Sequence, residues 1–208
     1  MEIINVEQGS VEWLQARLGK VTGTRLKLVM GSRIVQEGLI YELVAEQLTG
    51  QPEELFMSNA MVWGKEHEGD AIVAYEKQKK VRADRVGFCI SDEFPYLGLS
   101  PDRLIGKKTF TKGVEVKAPT TKTVVKYMLE GGIPPEYKWQ IVNYFLVCTT
   151  MKSLDFVVYD PRIVDPKLQL TIIPVKRSDV KGDIEKAKVR LVEFRRRWEE
   201  VYKKVKNK

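Results

Sequence analysis

The sequence predicts an α/β (α+β) fold in which a central mixed β-sheet is flanked by helices. In the first part of the chain, up to about residue 78, apolar residues recur at the spacing of helices. From residue 81 onward the pattern changes to the alternation that is typical of strands, and two helical segments interrupt it. A long final helix follows the last strand. This order of elements favours a sheet covered by helices over an all-helical or all-strand domain.

Length and composition are those of a soluble globular protein. A chain of 208 residues can form one domain with a substantial core, and we expect a single domain over 1–208. No apolar run is long enough to span a membrane, and the N-terminus does not resemble a signal peptide. We therefore expect a cytoplasmic protein without a membrane partner. Cys89 and Cys148 lack metal-type spacing and are expected to be reduced core residues.

The net charge of +7 allows two interpretations. It can indicate a polyanionic partner such as a nucleic acid. Many of the positive charges lie in the final helix, however, so they can also belong to the solvated face of an amphipathic helix. Charge alone does not decide between them.

The helices of the first part are predicted from their caps and their apolar spacing. They are a short helix capped by Ser10 and running through Leu18, a second after Thr22 or Thr24, a third over 34–49 that ends at Gly50, and a fourth from Ser58 or Asn59 to about Gln78.

The remaining elements are predicted from the change of period. Strands are expected at 81–90, around 96–100, at 113–117, at 155–160 and at 168–175, and helices at 121–130, at 136–149 and over the last thirty residues or so. Pro134 and Pro135 fit the start of the second of these helices.

The segment GVEVKAP, residues 113–119, places one acid and one base on the same face of a strand. Val114 and Val116 alternate with Glu115 and Lys117, so the two charged side chains project together. Such a face can be the solvated side of an ordinary sheet. It can also be the floor of a hydrolytic site.

A second acid, Asp102, lies at a predicted strand end. Pro101 favours an extended conformation before it and helps to terminate the strand. A hairpin between this point and the next strand would bring Asp102 close to Glu115. Two adjacent carboxylates repel each other unless protons or a cation intervene. An oxygen-preferring cation such as Mg²⁺ suits them better than zinc, because no cysteine or histidine is nearby.

A third acid, Glu68, falls in the apolar stripe of the fourth helix. A carboxylate on a core-facing stripe needs a partner, and the candidates are Lys117, an arginine or the same metal. Alternatively the stripe drifts and Glu68 lies at its edge. His67 points about 100° away on the helical wheel, so we interpret it as a packing or surface residue.

At this point the residues resemble a known family. Ser100-Pro101-Asp102 followed by Glu115-Val116-Lys117 is similar to the PD-(D/E)xK motif of restriction-endonuclease-like nucleases. Four further segments resemble, in order, motifs of phage lambda exonuclease and related viral recombinase-type nucleases: residues 7–24, 63–71, 137–147 and 157–162. The resemblance covers roughly residues 5–162, whereas the strand and basic helix over about 168–208 match little.

The resemblance implies a role for each matching residue. Asp102 and Glu115 would ligate a catalytic Mg²⁺, which Mn²⁺ could replace, with help from the Val116 carbonyl. Glu68 would ligate a second metal. Lys117 would orient or activate the attacking water, and Gln140 would hold Lys117 or that water.

The same resemblance implies a binding site for a DNA 5′-phosphate. Arg17 matches the family arginine near that phosphate, and Ser100 matches a further position beside it. Thr24 stands where the relative has a serine and keeps the hydroxyl. Arg103 departs from the family pattern, because it replaces the glycine that follows the motif aspartate.

The activity implied is a metal-dependent exonuclease that digests one strand of linear double-stranded DNA from its 5′ end and leaves 3′ overhangs for recombination. The implied partners are duplex DNA ends, two further copies of the chain in a trimeric ring, and a single-strand annealing protein. Two alternatives remain open: a structure-specific endonuclease on the same core, and a non-catalytic DNA-binding or assembly module.

Overall fold

The computed structural model describes residues 1–52, 58–107 and 109–208. Its helices are α1 (Val11–Arg17), α2 (Gly23–Val29), α3 (Arg33–Thr49), α4 (Asn59–Lys79), α5 (Thr121–Glu130), α6 (Lys138–Val147) and α7 (Lys181–Lys206). Its strands are β1 (Glu2–Ile4), β2 (Phe88–Ile90), β3 (Gly98–Leu99), β4 (Arg103–Ile105), β5 (Lys112–Lys117), β6 (Ser153–Tyr159) and β7 (Leu170–Lys176). Short 3₁₀ turns over Pro135–Tyr137 and Arg177–Val180 lead into α6 and α7.

The predicted α/β (α+β) class with a mixed sheet and flanking helices is confirmed. The mixed sheet has the order β4-β5-β6-β7, in which β5 and β6 run parallel and the other neighbours run antiparallel. Helix α5 lies between the two parallel strands in sequence, as a crossover connection requires.

Two of the expected strands belong elsewhere. Strands β2 and β3 are only three and two residues long, and they form a separate antiparallel sheet with β1 in the order β1-β2-β3. The prediction of a strand over all of 81–90 was therefore too long. In its first half only a single bridge forms, between Asp84 and Leu104.

The two faces of the mixed sheet are covered differently. On one face, α4 packs against β5 and β6 through a cluster that comprises Ala71, Ile72, Tyr75, Val114, Val116, Val157 and Tyr159. The larger cluster lies on the other face and includes the apolar side chains of α6 over 141–147, a range in which every residue is buried. Because α6 is apolar almost all round, it can only be an internal helix. Its Gln140 and Tyr144 side chains donate to Glu115 of β5, and its Asn143 side chain donates to the Gly98 carbonyl of β3.

The predicted caps of α1, α3 and α4 are confirmed, whereas the helix expected over 136–149 is shorter, at Lys138–Val147. The Ser10 and Ser58 hydroxyls accept hydrogen bonds from Trp13 N–H and Met61 N–H at the starts of α1 and α4. Gly50 ends α3 with φ of 65°, a conformation that glycine adopts without steric cost. The segment before α4, at 53–57, lies outside the described residues.

Cys89 and Cys148 are free and buried, as the sequence predicts. In the parts of the chain that the structure describes, none of the helices combines the length and the apolar character needed to cross a membrane.

Gly98 of β3 is closely packed against β2 and is hydrogen-bonded to α6. Its N–H donates to the Val21 carbonyl at 2.9 Å, and its carbonyl accepts from the Asn143 amide at 2.9 Å. A Cβ atom at this position would lie 2.1 Å from the ring of Phe88, which is fully buried. The contact fixes the direction in which the chain leaves β3 toward residues 100–102.

We expect Gly98→Ala to lower the free energy of unfolding by about 1–3 kcal/mol or more, because neither the backbone nor Phe88 has room to move. Urea denaturation followed by circular dichroism measures this. Gly38→Ala is the matched control: nothing lies within 4 Å of the added methyl in the exposed interior of α3. There the change should raise stability by about 0.5–1 kcal/mol. Equal effects of the two substitutions would contradict the close packing at Gly98.

Candidate active site

The β4–β5 hairpin brings the two predicted carboxylates together. Its register pairs Arg103 with Val114, so Asp102, one residue before β4, lies opposite Glu115. The proximity was predicted correctly, but the strand was not. We expected the strand before Asp102 to form the hairpin, whereas β4 begins after Asp102 and β3 belongs to the other sheet.

Glu115 is the most enclosed acid of the site, with 1% of its surface exposed. One carboxylate oxygen, Oε1, accepts hydrogen bonds from Lys117 Nζ and from Gln140 Nε2. The other, Oε2, accepts from the Tyr144 hydroxyl at 2.6 Å. Lys117 and Gln140, two predicted site residues, therefore meet on the same carboxylate.

Asp102 is held at the open end of the hairpin. Its Oδ2 accepts the Val116 N–H at 2.7 Å, and its own N–H donates to the Tyr144 hydroxyl at 3.0 Å. The N–H and C=O of a strand residue point to the same side. The Val116 carbonyl accordingly faces the Asp102 side and not β6.

Tyr144 joins the two acids, and sequence reasoning missed it. It lies one helical turn after Gln140 on α6 and is fully buried. A phenol in an otherwise apolar helix has to find a hydrogen-bond partner. That rule, with the four-residue spacing from Gln140, is the signal that could have identified it.

Burial and like charge control the titration of this cluster. Burial raises the pKa of Asp102 well above its usual value, and the nearby Glu115 and Glu68 carboxylates raise it further. Burial alone would lower the pKa of Lys117, but the Glu115 and Asp102 carboxylates outweigh it and raise that pKa. Burial and Glu115 also raise the pKa of Tyr144. The cluster thus combines a lysine that stays charged with a carboxyl that needs a proton or another cation.

Glu68 lies at the edge of the apolar stripe of α4, as the alternative interpretation had it. A third of its side chain is exposed, and its Oε1 accepts from Arg103 Nη1 at 3.1 Å. An arginine was one of the three expected partners; Lys117 binds Glu115 instead. The interpretation of Glu68 as a core-facing carboxylate was therefore wrong, because the drift of the stripe leaves it at the rim.

The donors suit a divalent cation at Asp102 and Glu115 but do not yet form a complete cage. Across residues 1–52, 58–107 and 109–208, no three His, Cys, Asp or Glu side chains converge closely enough to hold a metal ion. Two carboxylates and the Val116 carbonyl remain as an all-oxygen set, which is the type that Mg²⁺ and Mn²⁺ prefer. The repulsion that raises the pKa of Asp102 is the physical reason why this set favours a cation.

The predicted phosphate-binding residues lie beside this cluster. The Ser100 hydroxyl accepts from Arg17 Nη1 at 2.8 Å and from Trp13 Nε1 at 3.0 Å. The Arg17 guanidinium lies 4.1 Å from the centre of the Trp13 ring. Arg17 and Thr24 line one cavity of about 280 Å³.

Arg17 is a strong candidate for an anion contact. Burial and the charge of Arg25 lower its pKa to about 10, although Glu46 counteracts them. At neutral pH the guanidinium remains charged and would gain from a bound anion. Trp13, which holds the same serine, is a further residue that the sequence reasoning did not single out.

His67 packs as expected. Its ring stacks on Trp63 with 3.7 Å between centroids, and its Nδ1 lies 2.9 Å from the Trp63 carbonyl. The contact lies within α4 and does not involve the carboxylates of the site.

A family model for the YqaJ-like viral recombinase domain matches residues 12–152. The chain belongs to this family. The matched range contains every predicted site residue, from Arg17 to Gln140. The resemblance to the viral recombinase-type nucleases is thereby confirmed. No match was found among curated proteins.

Solved structures with the same fold extend the comparison beyond the family range. The chain is similar to an alkaline exonuclease, LHK-Exo, from Laribacter hongkongensis, with a TM-score of 0.85 and 30% identity over 95% of this chain and 97% of that one. The complex of LHK-Exo with dAMP gives a TM-score of 0.80 and 30% identity over 95% and 99%. A phage-related exonuclease from Haemophilus somnus 129PT shares the fold, with a TM-score of 0.64 and 13% identity over 89% and 96%.

We expect Tyr144→Phe to lower the free energy of unfolding by about 1–3 kcal/mol, because buried Glu115 loses a donor and the Asp102 N–H loses its acceptor. Urea denaturation in the presence of EDTA measures this without a contribution from bound metal. Tyr41→Phe, on an exposed tyrosine of α3, serves as the control and should change stability by less than about 0.5 kcal/mol. A loss no larger than that of the control would show that Tyr144 does not hold the two acids together.

Proposed function

We propose that the protein is a Mg²⁺-dependent deoxyribonuclease: an exonuclease that hydrolyses one strand of linear double-stranded DNA, 5′→3′, and leaves 3′ single-strand overhangs for recombination. The observation that carries the proposal is the short segment Ser100-Pro101-Asp102. It connects the Arg17–Ser100 anion site directly to the carboxylate pair and Lys117. Family membership and the 30% identity to an alkaline exonuclease support the reaction class.

Asp102, Glu115 and the Val116 carbonyl would hold the catalytic cation, with Glu68 as a ligand of a second one. A bound divalent ion lowers the pKa of water and neutralises charge on the scissile phosphate and the leaving oxygen. Mn²⁺ should replace Mg²⁺, because all the proposed ligands are oxygens.

Lys117 contributes a fixed positive charge beside the carboxylates. Its ammonium is held by Glu115 and lies 5.2 Å from the centre of the Tyr137 ring. Gln140 donates to the same Glu115 oxygen and so helps to fix the position of Glu115 relative to Lys117. In this position Lys117 can orient the attacking water and stabilise the charge that develops on the phosphate.

The proposed polarity is supported by the predicted phosphate-binding residues. Arg17 and Thr24 line one cavity together with the cations Arg25 and Lys27 and the acids Glu42 and Glu46, and Arg17 also donates to Ser100, two residues before Asp102. An enclosed guanidinium of this kind suits a terminal phosphate. A 5′-phosphate anchored there would present the adjacent phosphodiester to Asp102 and Glu115.

The proposal includes three partners: duplex DNA ends, two further copies of the chain in a ring, and a single-strand annealing protein. The net charge of +7 favours the first of these. Light scattering on the purified protein tests the second. A mass of three times the 23.9 kDa chain is expected.

The proposal is tested by digestion of an end-labelled linear duplex that carries a 5′-phosphate. In the presence of Mg²⁺ we expect a label at the 5′ end of a strand to be released before a label at its 3′ end. We expect EDTA to prevent the release of both labels. Asp102→Ala and Glu115→Ala should each reduce the rate by at least about a thousandfold, because either change removes a ligand of the proposed cation. Activity in EDTA, or undiminished activity of these variants, would overturn the proposal.

Covalently closed circular DNA in a parallel reaction should remain intact, and its nicking would indicate an endonuclease instead.

We expect Lys117→Ala to fold and to lose at least about a hundredfold in the rate of hydrolysis, since it removes the proposed water-orienting cation. Folding should survive because Glu115 keeps its hydrogen bonds to Gln140 and Tyr144. Initial rates on the same duplex and a thermal denaturation curve measure the two effects. Lys126→Ala, on a lysine more than half exposed on α5, is the control and should leave both unchanged. Equal rates for the two variants would assign Lys117 a structural role only.

A further inference from the structure

Arg103 lies on the rim of the site and binds Glu68, the acid that does not contact Lys117. It is the first residue of β4 and stands opposite Val114, so its side chain projects toward the face that α4 covers. Its Nη1 donates to Glu68 Oε1 at 3.1 Å and also to the Asp102 carbonyl. Only 14% of the side chain is exposed, which shows that the guanidinium is held in place.

The charges of the site fall into two groups. Glu115 and Lys117 form one ion pair on the α6 side of the sheet, and Glu68 and Arg103 form another on the α4 side. Asp102 lies between them, and its carboxyl has no ion-pair partner within 4 Å among the described residues. Three carboxylates therefore share two permanent cations. Without Arg103 the same acids would carry one more uncompensated negative charge.

An arginine suits this position for two reasons. A guanidinium stays protonated at any pH at which the protein is folded, so the charge that it supplies is constant. Its guanidinium is also weakly hydrated for a cation, which suits a side chain of which only 14% is exposed. Here one terminal nitrogen, Nη1, donates both to Glu68 on α4 and to the Asp102 carbonyl just before β4.

We infer that Arg103 is a built-in cation that competes with a second divalent ion for Glu68. The free protein would then bind one divalent cation tightly, at Asp102 and Glu115, and a second only weakly. A second ion at Glu68 has to displace the guanidinium and then remain close to its positive charge. This inference rests on the metal site of the proposed function and adds a residue that limits its occupancy.

The positions of the acidic side chains are consistent with this competition, because Glu68 does not meet Asp102 and Glu115. In the described part of the chain, no three acidic side chains meet closely enough to hold an ion. Glu68 is the acid that could complete such a group, because the residue that binds it, Arg103, directly follows Asp102 and also donates to the Asp102 carbonyl. The ion pair with Arg103 instead directs it to the α4 side of the hairpin.

The test is titration of the DNA-free protein with Mn²⁺ in an isothermal calorimeter. We expect one strong site in the wild type and, in Arg103→Met, a second site that binds at least about tenfold more tightly than any second site of the wild type, which corresponds to the loss of about one unit of repulsive charge. Methionine keeps the apolar stem and removes the charge. Arg33→Met is the matched control, because Arg33 is 80% exposed and pairs with Glu37 within α3, a helix that carries none of the proposed metal ligands. Its isotherm should equal that of the wild type.

A double variant, Arg103→Met with Glu68→Gln, identifies the ligand. If the new site uses Glu68, the double variant should return to one strong site. A new site that persists in the double variant would overturn the inference, and so would two equally strong sites in the wild type. Circular dichroism verifies folding; if Arg103→Met does not fold, Arg103→Gln, which also removes the charge but keeps a hydrogen-bond donor, replaces it, with an expected gain of at least about threefold in affinity for the second ion. No gain in the variant used would also overturn the inference.

Failure of this inference and failure of the proposed function give different results. Metal-dependent digestion of DNA with unchanged Mn²⁺ isotherms in the Arg103 variants would overturn only the inference. Absence of Mn²⁺ binding in every variant, together with digestion that resists EDTA, would overturn both.

Discussion

The whole site depends on a single buried carboxylate. Glu115 projects from the middle of the mixed sheet into the apolar layer around α6, where an unpaired charge would be very costly. It is tolerated because Lys117, Gln140 and Tyr144 all donate to it. Two of these donors come from one helix and one from its own strand. The position of α6 on the sheet and the charge state of the site are therefore fixed by the same hydrogen bonds.

The two faces of strand β5 serve different purposes: one packs against α4, and the other carries the charged residues of the site. Val114 and Val116 anchor it to α4, while Glu115 and Lys117 face α6. The parallel pairing with β6 buries both faces, so the solvated alternative for this strand does not apply. The antiparallel pairing with β4 then adds Asp102 from the same hairpin. Local alternation and sheet topology together produce the pair of acids.

Features encoded locally were predicted well from the sequence. Caps and helical periodicity located α1 to α4, and the alternation over 113–117 located β5 with its acid and its base. Asp102 was placed beside Glu115 because a hairpin has few ways to return. These signals depend only on neighbours along the chain.

The features that were missed depend on contacts distant in sequence. The three residues of β1 carry no readable period, and β2 pairs with them across more than eighty residues. For the same reason the division of the strands into two sheets was invisible. An arginine was only one of three candidate partners for Glu68, and the sequence did not indicate which one. Tyr144 was hidden among the apolar residues of α6. Side chains of this kind are selected by three-dimensional neighbours and not by local pattern.

The segment Ser100-Pro101-Asp102 also sets a length scale. Two peptide units separate the serine that receives Arg17 from the carboxylate that faces Glu115, and a chain this short can span no more than about 7 Å. Pro101, which is buried and fixed in φ, prevents that distance from varying much. On the proposed function, this short stretch of backbone would hold the anchored end of a DNA strand about one nucleotide away from the bond to be cut. Each cycle would then release a mononucleotide and present an identical end to the next, so that the size of the step is a property of the backbone and not of the base sequence.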